Sequence, residues 1–262
     1  MYGSVHLNAR VGIIRAELIS FAFPVRARLW SLHHPEQVIP RLTESIDNVA
    51  SVQKAPRASA TEPVPANQTF AQNPAASRAI DRLRQETRSA HGELDETLHL
   101  IDRLSAMRQR ASVLAGYHRF HHAVEAAIAP FLGAIPDLDF AARRRSRLIA
   151  EGMGILGQEM LPDHAAIPGI STQSEAFGAL YVLEGSSLGG RVILKELKRR
   201  GASLKGLGFL DPYGFNTGPR WRSFLAILER EVDSAERQSD AVTGALNTFA
   251  FAKSCLRKES TH

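Results

Sequence analysis

A chain of 262 residues, 44% hydrophobic and 23% charged, is long enough to bury one large core or two small ones and too varied in composition for a fibre. Its formal charge of +5 is spread along the chain, with seven basic against five acidic side chains in residues 1–77, which excludes a dedicated nucleic-acid-binding arm. Cys255 is the only cysteine, so an intrachain disulfide and a multi-cysteine zinc or iron–sulfur centre are excluded, and a reducing, cytoplasmic setting is expected.

Residues 1–77 are expected to form a poorly structured extension. Their most apolar stretch, Val11 to Val25, is interrupted by Arg15, Glu17 and Pro24; it is too short and too charged for a membrane span, and no small-residue cleavage site follows it. Residues 1–35 carry Arg10, Arg15, Arg26 and Arg28 against Glu17 alone, a bias shared with organellar presequences. Pro56, Pro63, Pro65 and Pro74 then punctuate a run rich in Ala, Ser, Asn and Gln that has no apolar period.

From Arg78 onward a helical period dominates. Ile80, Leu83, Thr87, His91, Leu94 and Leu98 recur at spacings of three and four and form one stripe. Leu114, Tyr117, His118, His121, Val124 and Ile128 repeat the pattern, which predicts a second helix ending at Pro130. A third run spans about Leu138 to Met160 and stops at Pro162. A fourth helix is predicted from Gln173 to Arg200, closed by Gly201 after basic residues suited to a helix C-terminus. Leu204 to Gly218 reads as a loop, and two helices follow, from Pro219 to about Ala235 and from about Ser239 to Leu256. No run alternates with period two, so the fold class is all-α with about six helices. Residues 78–257 form the helical domain and 258–262 a tail.

The fourth helix is unusual because Gly185, Gly189 and Gly190 lie inside it. Each glycine in a helix interior costs roughly 0.5–1 kcal/mol relative to alanine, so three need a compensating reason. Bending, tight packing against another helix, and close approach of a large flat ligand all supply one.

His91 is the residue with the most chemical promise. Arg84 and Arg88 precede it by seven and three positions on the same helix, and Asp95 follows at i+4. An imidazole that ligates iron, arginines that pair with propionates, and a carboxylate that orients the second ring nitrogen would together suit a haem. A core histidine beside two solvated arginines would leave the same pattern.

The segment Arg82-Leu-Arg-Gln-Glu-Thr-Arg-Ser-Ala-His91 resembles the first-helix signature of haem oxygenases, and Tyr181-Val-Leu-Glu-Gly-Ser-Ser-Leu-Gly-Gly190 resembles their glycine-bearing distal helix in its bacterial form. Asp211-Pro-Tyr-Gly-Phe-Asn-Thr-Gly-Pro-Arg-Trp-Arg222 and Ala245-Leu-Asn-Thr-Phe249 extend the resemblance, in the family's order, across residues 78–257. The resemblance implies a multi-helix bundle holding haem between a proximal first helix and a glycine-kinked distal helix. It implies that His91 is the proximal iron ligand and that Arg84 and Arg88 meet the propionates, with Arg220 and Arg222 as further basic contacts. Gly185, Gly189 and Gly190 would pass close over the porphyrin. The implied activity is cleavage of haem, at once substrate and cofactor, to biliverdin, carbon monoxide and ferrous iron, using O2 and electrons from a ferredoxin or reductase. Animal members carry an aspartate directly after the first distal glycine; here that position is Ser186, so Ser186, Ser187 or water held by the backbone takes its place.

Two alternatives follow from the residues. A haem carrier would keep the proximal histidine and lack turnover. A di-iron bundle would use the Glu96-Thr-Leu-His99 spacing, although a second Glu-x-x-His pair is absent. His118 and His121 are expected to pack. The run Arg143-Arg144-Arg145 with Arg147 reads as a solvated face, as do Lys195, Lys198, Arg199 and Arg200; either could dock an acidic electron donor.

Overall fold

The computed structural model describes residues 78–158 and 169–257. The extension assigned to residues 1–77, the tail from 258 and the expected end of the third run at Met160–Pro162 lie outside the described residues. Eight α-helices and no strand occur among those described: α1 (Ala79–Glu86), α2 (Arg88–Leu98), α3 (Leu100–Ser105), α4 (Met107–Leu132), α5 (Ser146–Ile155), α6 (Gln173–Arg199), α7 (Thr217–Glu231) and α8 (Ala235–Leu256).

The count exceeds the six expected because the first predicted helix, with its stripe from Ile80 to Leu98, is two, and α3 follows where no helix was predicted. Thr87 separates α1 from α2 with little change of direction, its hydroxyl donating to the Leu83 carbonyl at 2.7 Å. His99 makes the sharper break, in a left-handed conformation at φ 44° and ψ 43° that a β-carbon disfavours. The second helix runs two residues past the expected stop, with Pro130 inside its last turn. The carbonyl that would otherwise accept from residue 130 belongs to Ala126, an exposed residue. The third run is shorter than its apolar pattern suggested: a 3-10 turn at Phe140–Arg143 precedes α5. The last two helices begin at Thr217 and Ala235, and Ser234, whose side chain accepts from the Arg237 N–H, caps the second.

The fourth predicted helix matches α6 almost residue for residue. Thr172 and Glu175 form a reciprocal capping box at its start, and Lys198 and Arg199 occupy its last turn. It lies along α8 at unusually short range. A β-carbon on Gly178 would overlap the Ala241 carbonyl, and one on Gly244 would overlap that of Glu175, so paired glycines allow the two backbones to meet. The helices α1, α2 and α4 also pack on α8, which is thereby the central element of the bundle.

Buried arginines tie the ends of this bundle. Arg110 is completely buried; its Nε and Nη2 donate to the Leu104 carbonyl at 2.8 and 2.6 Å, and its Nη1 donates to Lys205 at 3.0 Å. Arg103 donates to the Leu256 carbonyl at 2.6 Å, satisfying the last turn of α8. No helix among the described residues is long and apolar enough to cross a membrane.

Candidate active site

His91 occupies the middle of α2 with its side chain 23% exposed, and its ring meets Phe249 of α8 edge-on at 5.8 Å between centroids. Nδ1 faces Asp95, 3.7 Å from Oδ2. The carboxylate thus lies behind the imidazole, an arrangement that raises a ring's basicity toward a metal.

The element α6 touches the α1–α2 junction just before this histidine. Tyr181, buried in α6, hydrogen-bonds to Thr87 at the α1–α2 junction, and burial pushes its hydroxyl up to about 12. His91 lies one turn past Thr87 on its helix, and Gly185 one turn past Tyr181 on its own. A β-carbon on Gly189 would meet nothing within 4 Å, so this residue borders open space. Gly190 differs. A β-carbon there would overlap the backbone of Leu210, so its role is to admit the 208–210 turn against α6 and not to approach a ligand.

The basic residues divide similarly. Arg84 is partly buried, 3.7 Å from Asp81 and close enough to Tyr181 to act on its hydroxyl. Arg88 is exposed at the start of α2. Arg220 bonds Asp139 at 3.2 Å and covers the Tyr213 ring at 5.2 Å, while Arg222 is exposed and lies by Gly218. The last two are thus engaged at the start of α7 and are not among the basic groups of the His91 helix.

The arginine run departs most from expectation. Arg144 and Arg147 are solvated, with side chains 48% and 90% exposed, but Arg143 and Arg145 are buried. Arg143 donates to Glu184 at 2.8 Å, and Arg145 donates to the Ser186 hydroxyl at 2.9 Å and to the Leu183 carbonyl. Ser186 in turn donates to Leu183 at 2.7 Å, so its proton is held by the helix and its oxygen by a guanidinium. The alternation of buried and solvated arginines, together with a glutamate inside the apolar α6, was the available sequence signal.

Beneath these groups lies a second buried pair. Glu125 accepts from the Arg145 N–H at 2.6 Å and from the Ser146 hydroxyl at 2.6 Å, capping α5, while His121 Nδ1 lies 3.4 Å from its Oε1. Burial pushes the Glu125 carboxyl up, but hydrogen bonds from His121, Ser146 and Arg145 outweigh it and hold the group at about 2, against an ordinary 4.5. Burial holds the His121 imidazole below its usual value, more than Glu125 offsets. His121 packs as expected, stacked on Tyr117, whereas His118 is only half-buried and stacks on the exposed His122.

Both shifts lower stability in acid. A depressed histidine removes stability as pH falls below about 6.5, and a depressed carboxylate does so as pH falls from about 4.5 toward 2. Glu125→Gln is expected to flatten the lower part of that decline and to cost roughly 3 kcal/mol at neutral pH, because an amide supplies only one of the two acceptor oxygens. Denaturant unfolding between about pH 2.5 and about pH 7 measures both effects; parallel curves for the two proteins would exclude this role.

Glu96 and His99 do not form a metal pair. Both are exposed, and the left-handed break at His99 places it outside the helix that carries Glu96. Among the described residues no three His, Cys, Asp or Glu side chains group to hold a metal ion.

Known proteins resemble this chain in the same terms. The family model described as Heme oxygenase matches residues 158–258. A curated Heme oxygenase from Xanthomonas campestris pv. campestris (strain 8004) is 35% identical over 156 residues, which are 57% of this chain and 90% of that protein. The NO- and CO-bound heme oxygenase from Neisseria meningitidis superposes with a TM-score of 0.60 at 26% identity, covering 69% of this chain and 91% of its own.

Proposed function

This chain belongs to the haem oxygenase family, whose activity is haem degradation, and from that premise we propose that it cleaves haem to biliverdin, carbon monoxide and ferrous iron with O2 and external electrons. Two observations support the reading: His91 is backed by Asp95 at 3.7 Å, and Gly189 of α6 borders open space.

The residues present fit a haem. His91 would hold the iron through Nε2, with Asp95 fixing the ring, and Arg84 of α1 and Arg88 of α2 would meet the propionates. Bound haem supplies the iron at which O2 is bound and reduced. The contribution of α6 is steric first: without side chains at Gly185 and Gly189, the backbone can approach a flat ligand and confine what binds beside it. Its second contribution is a weakly acidic surface. Ser186 presents no free carboxylic acid, and its hydroxyl is already committed to Leu183 and Arg145. Arg145, whose Nε is buried without a protein partner, is the nearest fixed positive group and would orient water there. Electrons would come from a ferredoxin or reductase, and exposed Arg144 and Arg147 offer such an acidic protein a basic contact.

The test is to titrate the protein with hemin, add reductant and oxygen, and identify products by chromatography. A Soret band that decays to biliverdin is expected. A persistent Soret band without bilin would convert the reading to a haem carrier, and no Soret band would remove the haem site altogether.

A further inference from the structure

Glu184 has no part in the chemistry above, yet it is one of the most completely surrounded carboxylates of the chain. It is 1% exposed and sits on α6 immediately before Gly185. The Tyr213 hydroxyl donates to its Oε1 at 2.7 Å, Arg143 donates to Oε2 at 2.8 Å, and Arg145 lies 3.8 Å away. Arg143 is fixed in turn by the carbonyls of Leu138 at 2.7 Å and Arg220 at 3.3 Å. Burying three charges is unfavourable unless each is paired, so such a cluster persists only where its geometry is nearly complete.

All of these contacts fall on one turn of α6. Leu183 receives Arg145 and the Ser186 hydroxyl on its carbonyl, Glu184 receives Arg143 and Tyr213 on its side chain and the Ser187 hydroxyl on its carbonyl, and Ser186 receives Arg145. Hydroxyls that bond back to the preceding turn, and cations on helix carbonyls, both bend a helix. The loop that carries Tyr213 is anchored on α6 a second time, where Leu210 enters at Gly190 and Asp211 lies 3.6 Å from Arg191.

The geometry points to Glu184 and Tyr213 as positioning residues that lock the 183–187 turn of α6 to the 208–216 loop and so set the height of Gly185 and Gly189 over the haem. The proposal rests on the haem-cleaving reading for its catalytic consequence, but its structural half stands without it. It also gives the Asp211–Arg222 motif a purpose: the segment holds the distal helix from outside the ligand site. Tyr213 is the handle to test, because it carries no charge in the cluster and its ring also supports Arg145 and Arg220 at 5.8 and 5.2 Å.

Tyr213→Phe keeps the ring and removes only the hydroxyl. In the haem-free protein, hydrogen exchange at the amides of residues 185–189 is expected to rise about tenfold while exchange in α4 and α8 stays as in wild type, the effect of one lost hydrogen bond acting locally. With hemin, turnover should fall about fivefold with hemin affinity changed less than about twofold, and the carbon monoxide stretching frequency of the ferrous complex should shift, because the distal backbone has moved and the proximal ligand has not. Glu184→Gln retains an acceptor for Tyr213 but leaves two buried guanidiniums without their counter-charge, so exchange at 185–189 should rise beyond that of Tyr213→Phe. Unchanged exchange at 185–189 and an unchanged stretching frequency, with only a lower melting temperature, would reduce the cluster to packing and overturn the proposal. Should the wild-type protein bind hemin and form no bilin, the haem-cleaving reading fails, while exchange and the stretching frequency still decide the role of Glu184 and Tyr213.

Discussion

His91→Ala should abolish bilin formation and still leave measurable hemin binding. The imidazole contributes one iron bond, whereas the porphyrin also gains apolar burial and the propionates retain Arg84 and Arg88, so affinity falls without vanishing. Loss of turnover should be at least about a hundredfold, since the imidazole sets the electron density at the iron. The ferrous spectrum should lose its histidine-ligated form and regain it with added imidazole. Wild-type turnover with an unaltered ferrous spectrum would transfer the ligand to another histidine, and half-buried His118 would be examined next.

The neighbouring glycines Gly189 and Gly190 should respond to substitution in opposite ways. In the haem-free protein, Gly189→Ala should raise stability by about 0.5–1 kcal/mol, because the added methyl meets open space and alanine favours the helix. Gly190→Ala should lower it by about 2 kcal/mol or more, because the methyl must displace the Leu210 backbone. Function then separates from stability: Gly189→Leu should fold with wild-type helix content and His91 ligation and yet form little bilin. Circular dichroism, melting temperature and chromatography on the three variants supply the comparison. A Gly189→Leu protein with full bilin yield would show that this face of α6 does not overlie the haem.

These two residues also show what a sequence reveals and what it withholds. Glycines inside an apolar helix were visible, as was the need for something close to them; Gly190 faces a loop carbonyl, and its partner lies in a segment of irregular backbone that carries no period to read. The order and type of the helices followed from spacing, and α6 was legible nearly to the residue because its cap, glycine stop and basic last turn agree. The break at Thr87 was hidden because the stripe from Ile80 to Leu98 continues through it, and α3 was missed because it lies beyond the end of that stripe. His91 and Asp95 were legible as an i, i+4 pair on one helix. Glu184, Arg143, Arg145 and Tyr213 were not, because their contacts join three separate segments and charged residues in a run are ordinarily solvated.

The central place of α8 has a consequence for timing. Its partners include the first helices described: Arg82 donates to the Ala235 carbonyl, 153 residues away in sequence, and Arg103 to that of Leu256, at the same separation. Phe249 touches His91 across a comparable distance. A chain emerging from the ribosome therefore exposes the histidine stripe of α2 and the paired-glycine face of α6 long before the element that covers both exists. Loop closure over such separations slows the final step of folding, and the ligand site comes into being with it. On the proposed reading, haem should therefore be captured only after α8 has docked, and chaperone demand should be greatest in the interval before it does.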